Sequence, residues 1–130
     1  ISVGAIDKEQ QRSIWSRTQS SCFGSYVNIY APGGKGFIYK DNIPTTDNEQ
    51  GYVSFNGTSA AAPHVTGVAA LLLSANPTLT GAELKDIILG CADSITITVP
   101  SASGGTTTQT VKKLNAFDPL YPQQYMKRQT

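Results

Sequence analysis

Asn56-Gly57-Thr58-Ser59-Ala60-Ala61-Ala62-Pro63-His64-Val65-Thr66-Gly67 places a hydroxyl side chain where a glycine-bearing turn passes into a run of very small residues. Immediately downstream Val65, Val68, Ala69, Leu72 and Leu73 fall at i, i+3, i+4, i+7 and i+8, one apolar stripe of an α-helix that Asn76-Pro77 should stop. Pro63 suits only the beginning of such a helix, where its missing N–H costs no intrahelical bond, so the helix is expected to start close to Ser59. A helix N-terminus presents unpaired N–H groups and partial positive charge, which together stabilise an oxyanion developing beside Ser59. Gly57 lets backbone approach a substrate, and the alanines leave room for it. The competing reading makes Ser59 or Thr58 no more than a helix N-cap.

Working outward, Thr80 and Glu83 form the pattern of a capping box for a second helix, with Leu79 able to staple onto Leu84 and with Leu84, Ile87, Ile88 and Cys91 on its buried face. Residues 94–99 and 106–111 are β-branched and alternating, which predicts a hairpin around the loop 100–105. Residues 1–7 and 27–31 read as strands, and residues 36–39 and 51–55 as shorter ones. Residues 8–21 are expected to be a surface connection, residues 40–50 a loop, residues 114–120 a short helix or turn, and residues 121–130 a polar tail after a single domain, 1–120. Trp15 and the tyrosines Tyr26, Tyr30, Tyr39 and Tyr52 are expected to be packing groups.

The chain has 130 residues and 39% apolar content, enough for one soluble globular domain. Ten Lys and Arg against nine Asp and Glu leave a net charge of +1, with no basic run to gather phosphates, so nucleic acid is not an expected partner. The apolar stretch 65–73 is about half the ~20 residues that a membrane span requires, so no transmembrane helix is expected. The chain opens at Ile1 inside a β-like run, as though a preceding segment, including any targeting sequence, were missing. Cys22 and Cys91 could form one disulfide, and that pairing stays open; Cys91 on an apolar stripe reads as a small buried thiol.

The motif resembles the nucleophile signature of the subtilisin-like serine proteases, Gly-Thr-Ser-x-Ala-x-Pro-His-Val-x-Gly, at every specified position. In register around it, residues 1–7 are similar to that family's Val-Gly-Ala-x-Asp strand and residues 27–33 to its Val-Asp-Ile-x-Ala-Pro-Gly. Residues 69–85 match its Ala-Leu-Leu, Asn-Pro-x-Leu-Thr and Glu-x-Lys run, and Leu114-Asn115-Ala116 its closing Leu-Asn-Ala. The resemblance thus covers roughly residues 1–118. It implies an α/β fold: the C-terminal part of a three-layer α/β/α domain, with a mostly parallel sheet and helices on both faces. It further implies a serine endopeptidase of peptide or protein substrates, needing no cofactor, in which Ser59 attacks the scissile carbonyl and its own N–H is one oxyanion donor. Thr58 would support that donor, and Asn56 and Gly57 would contact substrate.

The mechanism also requires a general-base His, an Asp that orients it and a side-chain amide. The resemblance locates all three upstream of Ile1. His64 is the single histidine; five helical residues from Ser59 turn it by roughly 140°, which should point its ring away from the hydroxyl, and in the family the matching His is structural. Asp7 is likewise expected to be structural. Ala60 stands where the family commonly has an oxidisable Met, Cys22 where its Ser-Asn-x-Gly turn has Asn, and Asn28 where it often has an Asp that in some relatives helps bind calcium. A neutral amide is a weaker ligand for that cation, so no calcium is assigned, although the intact domain could hold one. The family is usually exported after propeptide removal, which implies an extracellular or lytic compartment. Two other readings remain: an inactive subtilisin-like binding or scaffold protein, and one chain of a processed two-chain protease.

Overall fold

The computed structural model describes residues 1–121. Strand β1 (Val3–Ile6) pairs in parallel with β2 (Ile29–Pro32), and β2 in turn meets the end of a long antiparallel ribbon, β5 (Asp93–Pro100) with β6 (Thr106–Lys113). The sheet order is β1-β2-β6-β5, and a separate two-stranded sheet joins β3 (Ile43–Thr46) to β4 (Tyr52–Phe55). Two helices follow β4: α1 (Thr58–Ala75) and α2 (Gly81–Gly90).

The pleat of β1 and β2 divides the core. Ala5, Ile29 and Ala31 face the stripe Val65, Val68 and Leu72 of α1 and Ile88 of α2, while Ile6 and Tyr30 face the other way and pack with Ile97 and Val99 of β5. Both helices therefore lie on one face; residues 8–21 run along the β1 edge, where Ser13 N–H donates to the Ala5 carbonyl (2.9 Å) and Trp15 packs with the helix-side core, so they are more than a surface connection. Ile6 bridges Arg12, Ile14 bridges Ser20, and Arg12, Ser13 and Ser21 are buried. Close packing fixes small residues here: a Cβ on Gly4 would stand 2.4 Å from the Tyr30 ring that crosses it.

The capping box is present: Glu83 N–H donates to Thr80 Oγ1 (3.2 Å), and Thr80 N–H donates to Glu83 Oε2 (2.8 Å). Two donors to that carboxylate hold the Glu83 carboxyl below its ordinary range, the Thr80 backbone N–H first and the Thr80 hydroxyl, which donates to the same Oε2 at 2.9 Å, second. The ribbon β5–β6 forms as the alternation predicts, and residues 114–120 form turns. The tail lies outside the described residues from 122 onward.

Three expectations fail locally. Residues 36–39 are not a strand: Asn42 Nδ2 donates to the carbonyls of Gly36 and Ile38, Lys35 N–H donates to Asn42 Oδ1, and the segment wraps into a 3-10 turn at Tyr39–Asp41. The supposed loop 40–50 contains β3, whose Ile43 pairs with Phe55. Pro63 sits in the second turn of α1 rather than the first, so it offers no N–H to the carbonyl of Ser59. As for the membrane, α1 is long and apolar enough by length and composition alone to cross one, a property the stretch 65–73 did not reveal; here its apolar stripe packs on the sheet.

Candidate active site

The turn into α1 is built from backbone. Gly57 takes φ 115° and ψ 170°, a conformation open to glycine, and its N–H donates to the carbonyl of Gly33 at 2.9 Å. Trp15 Nε1 donates to the same carbonyl, also at 2.9 Å, so the end of β2 and the loop through Trp15 together fix where α1 begins. The Gly57 carbonyl accepts from the N–H groups of Ala60 (3.0 Å) and Ala61 (3.2 Å). Among the described residues the N–H groups of Thr58 and Ser59 are left without acceptors, as the first amides of a helix are. The N-cap is Gly57 and no side chain caps the helix, which removes the reading of Thr58 or Ser59 as a mere cap.

Ser59 is exposed, and among the described residues no hydrogen bond engages its hydroxyl. It opens onto a recess of about 310 Å³ walled by Ile43, Pro44 and Thr45 of β3, Phe55 of β4, and Ala60, Pro63 and His64 of α1. Asn56 is held beside it by an Nδ2–H bond to the Gly36 carbonyl at 2.9 Å. His64 also lines the same recess. Its Nδ1–H donates to the Ala60 carbonyl one turn back (2.8 Å), and no hydrogen bond joins it to Ser59.

No carboxylate lines the recess among the described residues. Asp7 serves its own turn, its Oδ1 accepting from the N–H groups of Glu9 (3.0 Å) and Gln11 (2.9 Å). Asp47 repeats this with Glu49 and Gly51, so Asp-x-Glu-Gln recurs as one structural turn. Asn28 spends its carbonyl oxygen on the Ser2 N–H. Among the described residues no group of three or more His, Cys, Asp or Glu side chains converges as a metal site. Both thiols are free, Cys22 exposed and Cys91 half-buried; burial, and secondarily the Asp118 carboxylate, raise the pKa of Cys91. Sequence reasoning missed Gly33 and Trp15, which position the turn without touching the recess; the Pro32-Gly33-Gly34 run at the end of β2 was the available signal.

The subtilase family model matches residues 1–118. Alkaline elastase YaB of Bacillus sp. (strain YaB) is 34% identical over 104 residues, covering 80% of this chain and 24% of the relative. The alkaline extracellular protease of Yarrowia lipolytica (strain CLIB 122 / E 150) is 38% identical over 90 residues, 68% of this chain and 18% of the relative. A solved protease of Pseudoalteromonas arctica PAMC 21717 superposes with a TM-score of 0.71 at 27% identity, over 92% of this chain and 34% of its own. The chain thus spans about a quarter or less of these two sequence relatives, and a third of the solved protease. With the parallel strand pair, the helix opening at the hydroxyl and a family match running from Ile1 almost to the end of the described residues, the chain belongs to the subtilase family of serine proteases.

Proposed function

We propose that this chain is the nucleophile-bearing part of a serine endopeptidase, with Ser59 attacking the scissile carbonyl of a peptide or protein substrate to form an acyl-enzyme. The observation that carries this is the exposed, unengaged Ser59 hydroxyl beside two unpaired amides at the start of an 18-residue helix. The Ser59 N–H donates to the oxyanion as it develops, where a preorganised donor contributes about 3–4 kcal/mol to the transition state. The Thr58 hydroxyl supports that donor, and Asn56 and Gly57 meet the substrate backbone. The base, its orienting carboxylate and a second oxyanion donor come from the remainder of the protein, which completes the domain around residues 1–120. Hydrolysis by this route requires no cofactor, and no structural calcium is assigned to these residues. The name of the Yarrowia relative favours an extracellular or lytic setting.

The test is peptide hydrolysis by the complete protein. Ser59→Ala should lower kcat by about 10⁶-fold, a scale set by nucleophile removal in subtilisin, itself a member of this family. A complete, folded protein without Ser59-dependent turnover would instead identify a subtilase-like binding protein, and activity that appears only on adding a separate N-terminal chain would identify a two-chain enzyme.

A further inference from the structure

Strand β5 lies at the end of the sheet, opposite the β1 edge, and its ladder with β6 runs unbroken from Asp93↔Lys113 to Pro100↔Thr106. Edge strands are commonly protected by bulges, charges or an internal proline. None of these interrupts Ser94-Ile95-Thr96-Ile97-Thr98-Val99: the row is uncharged, and Pro100 falls only at its end. Alternation is strict, with Ile97 and Val99 buried and Ser94, Thr96 and Thr98 exposed. The backbone groups of Thr96 and Thr98 point away from β6, and one side chain has taken them. Gln11 Nε2–H donates to the Thr96 carbonyl at 3.5 Å, and the Thr98 N–H donates to Gln11 Oε1 at 3.3 Å.

That carboxamide stands where a neighbouring strand's peptide group would. Its bonds are long, because one amide must span two residues of strand, so it is a weaker occupant than a real strand. Its backbone is nevertheless held in place: Gln11 N–H donates to Asp7 Oδ1 and Asp7 N–H donates to the Gln11 carbonyl, both at 2.9 Å. The Asp7 turn therefore delivers Gln11 to the edge.

We propose that the outer edge of β5 is a pairing surface for a second copy of this chain, two-fold about Ile97, and that Gln11 holds it shut. The sequence is self-complementary around that residue. An antiparallel partner centred on Ile97 sets Thr96 opposite Thr98 of the other copy and Thr98 opposite its Thr96, and each pair exchanges both N–H···O bonds. The same patch meets itself, as an isologous two-fold contact requires, with no like charges opposed. Pro100 has no N–H and ends the ladder, so the contact is short and one side-chain amide suffices to compete with it.

The test uses the complete protein carrying Ser59→Ala throughout, so that self-cleavage does not intervene. Sedimentation equilibrium across a dilution series should show a monomer for this parent. Adding Gln11→Ala, in an exposed turn, should double the weight-average mass at the concentrated end. Adding Thr98→Pro to that variant removes the outward donor while sparing the bonds to β6, and should restore the monomer. Should the proline variant fail to fold, hydrogen exchange at the Thr98 amide of the Gln11→Ala protein supplies the same decision: protection should rise with concentration. Monomers in both parent and Gln11→Ala protein, equal association in both, or dimers with an unprotected Thr98 amide would each overturn the proposal.

Discussion

Replacing Gly33 by alanine would drive a methyl carbon into two walls at once. Built on the backbone, the new Cβ lies 2.3 Å from the Ala5 Cβ and 2.9 Å from the Gly57 carbonyl oxygen. Carbon atoms settle about 3.5–4.0 Å apart, so β1 and β2 must part locally by roughly 1.2 Å or the Gly57 turn must retreat. Neither neighbour yields easily, since Ala5 is fully buried in register with Ala31, and Gly57 is tied to Gly33 by its own N–H. Overpacking of this kind costs about 1–3 kcal/mol, and the upper end applies where backbone rather than a side-chain tip must move. In a domain of 150–250 residues or more, each kcal/mol lowers Tm by roughly 2–4 °C. Function should suffer separately, because the Gly57 turn sets the position of the Ser59 amide, and a displacement of about 1 Å at a reacting centre costs on the order of 100-fold. The assay is calorimetry of the complete protein beside kcat/KM per titrated active site. Gly81→Ala, where no atom lies within 4 Å of the added carbon, is the control and should stay within about 0.5 kcal/mol. A Gly33→Ala protein that melts and turns over like its parent would refute the claim that this contact positions the nucleophile.

Thr80→Ala should destabilise the protein by about 1 kcal/mol through loss of the α2 cap, read by denaturant titration. It should also return the Glu83 titration, followed by NMR, toward the ordinary carboxylate value. Because the folded-state pKa of Glu83 is lowered, its stabilisation is complete above the ordinary value of 4.5 and is lost as pH falls through the lowered one; Thr80→Ala removes the hydroxyl donor but keeps the backbone one, so it should weaken that acid-side dependence without abolishing it. His64→Gln should lower Tm through loss of the bond to Ala60 while leaving kcat of correctly folded molecules largely intact. A normally folded, titrated preparation losing about 10⁴-fold in kcat would make His64 part of the chemistry instead.

The parts of the fold that were legible are those in which local chemistry and burial agree. Asn56 to Gly67 signals a turn into a helix, Thr80 with Glu83 signals a cap, and the alternation of Ile95, Ile97 and Val99 signals a strand with one buried side; each of these is realised. Strand β3 was hidden because Ile43-Pro44-Thr45-Thr46 has a single large apolar residue and a proline, so its alternating burial leaves no apolar–polar alternation in the sequence, and the pairing of Ile43 with Phe55 is a long-range decision. Residues 36–39 have strand-like composition, but Gly36 at φ 59° and the Asn42 side chain bend them into a turn. At the site, the motif located Ser59 and its amide. It could not locate the Gly33 carbonyl or the Trp15 ring nitrogen, which are brought together only by the pairing of β1 with β2 and by the loop that folds back beneath them.

The central claim is that Ser59 is a nucleophile whose base lies outside this chain. Treating the complete protein and the isolated 130 residues with a fluorophosphonate probe, then mapping the adduct by mass spectrometry, tests it directly. Stoichiometric phosphonylation of Ser59 in the complete protein, with none in the isolated chain, is the predicted result. An adduct on another serine of the complete protein, or full labelling of Ser59 in the isolated chain, would contradict it.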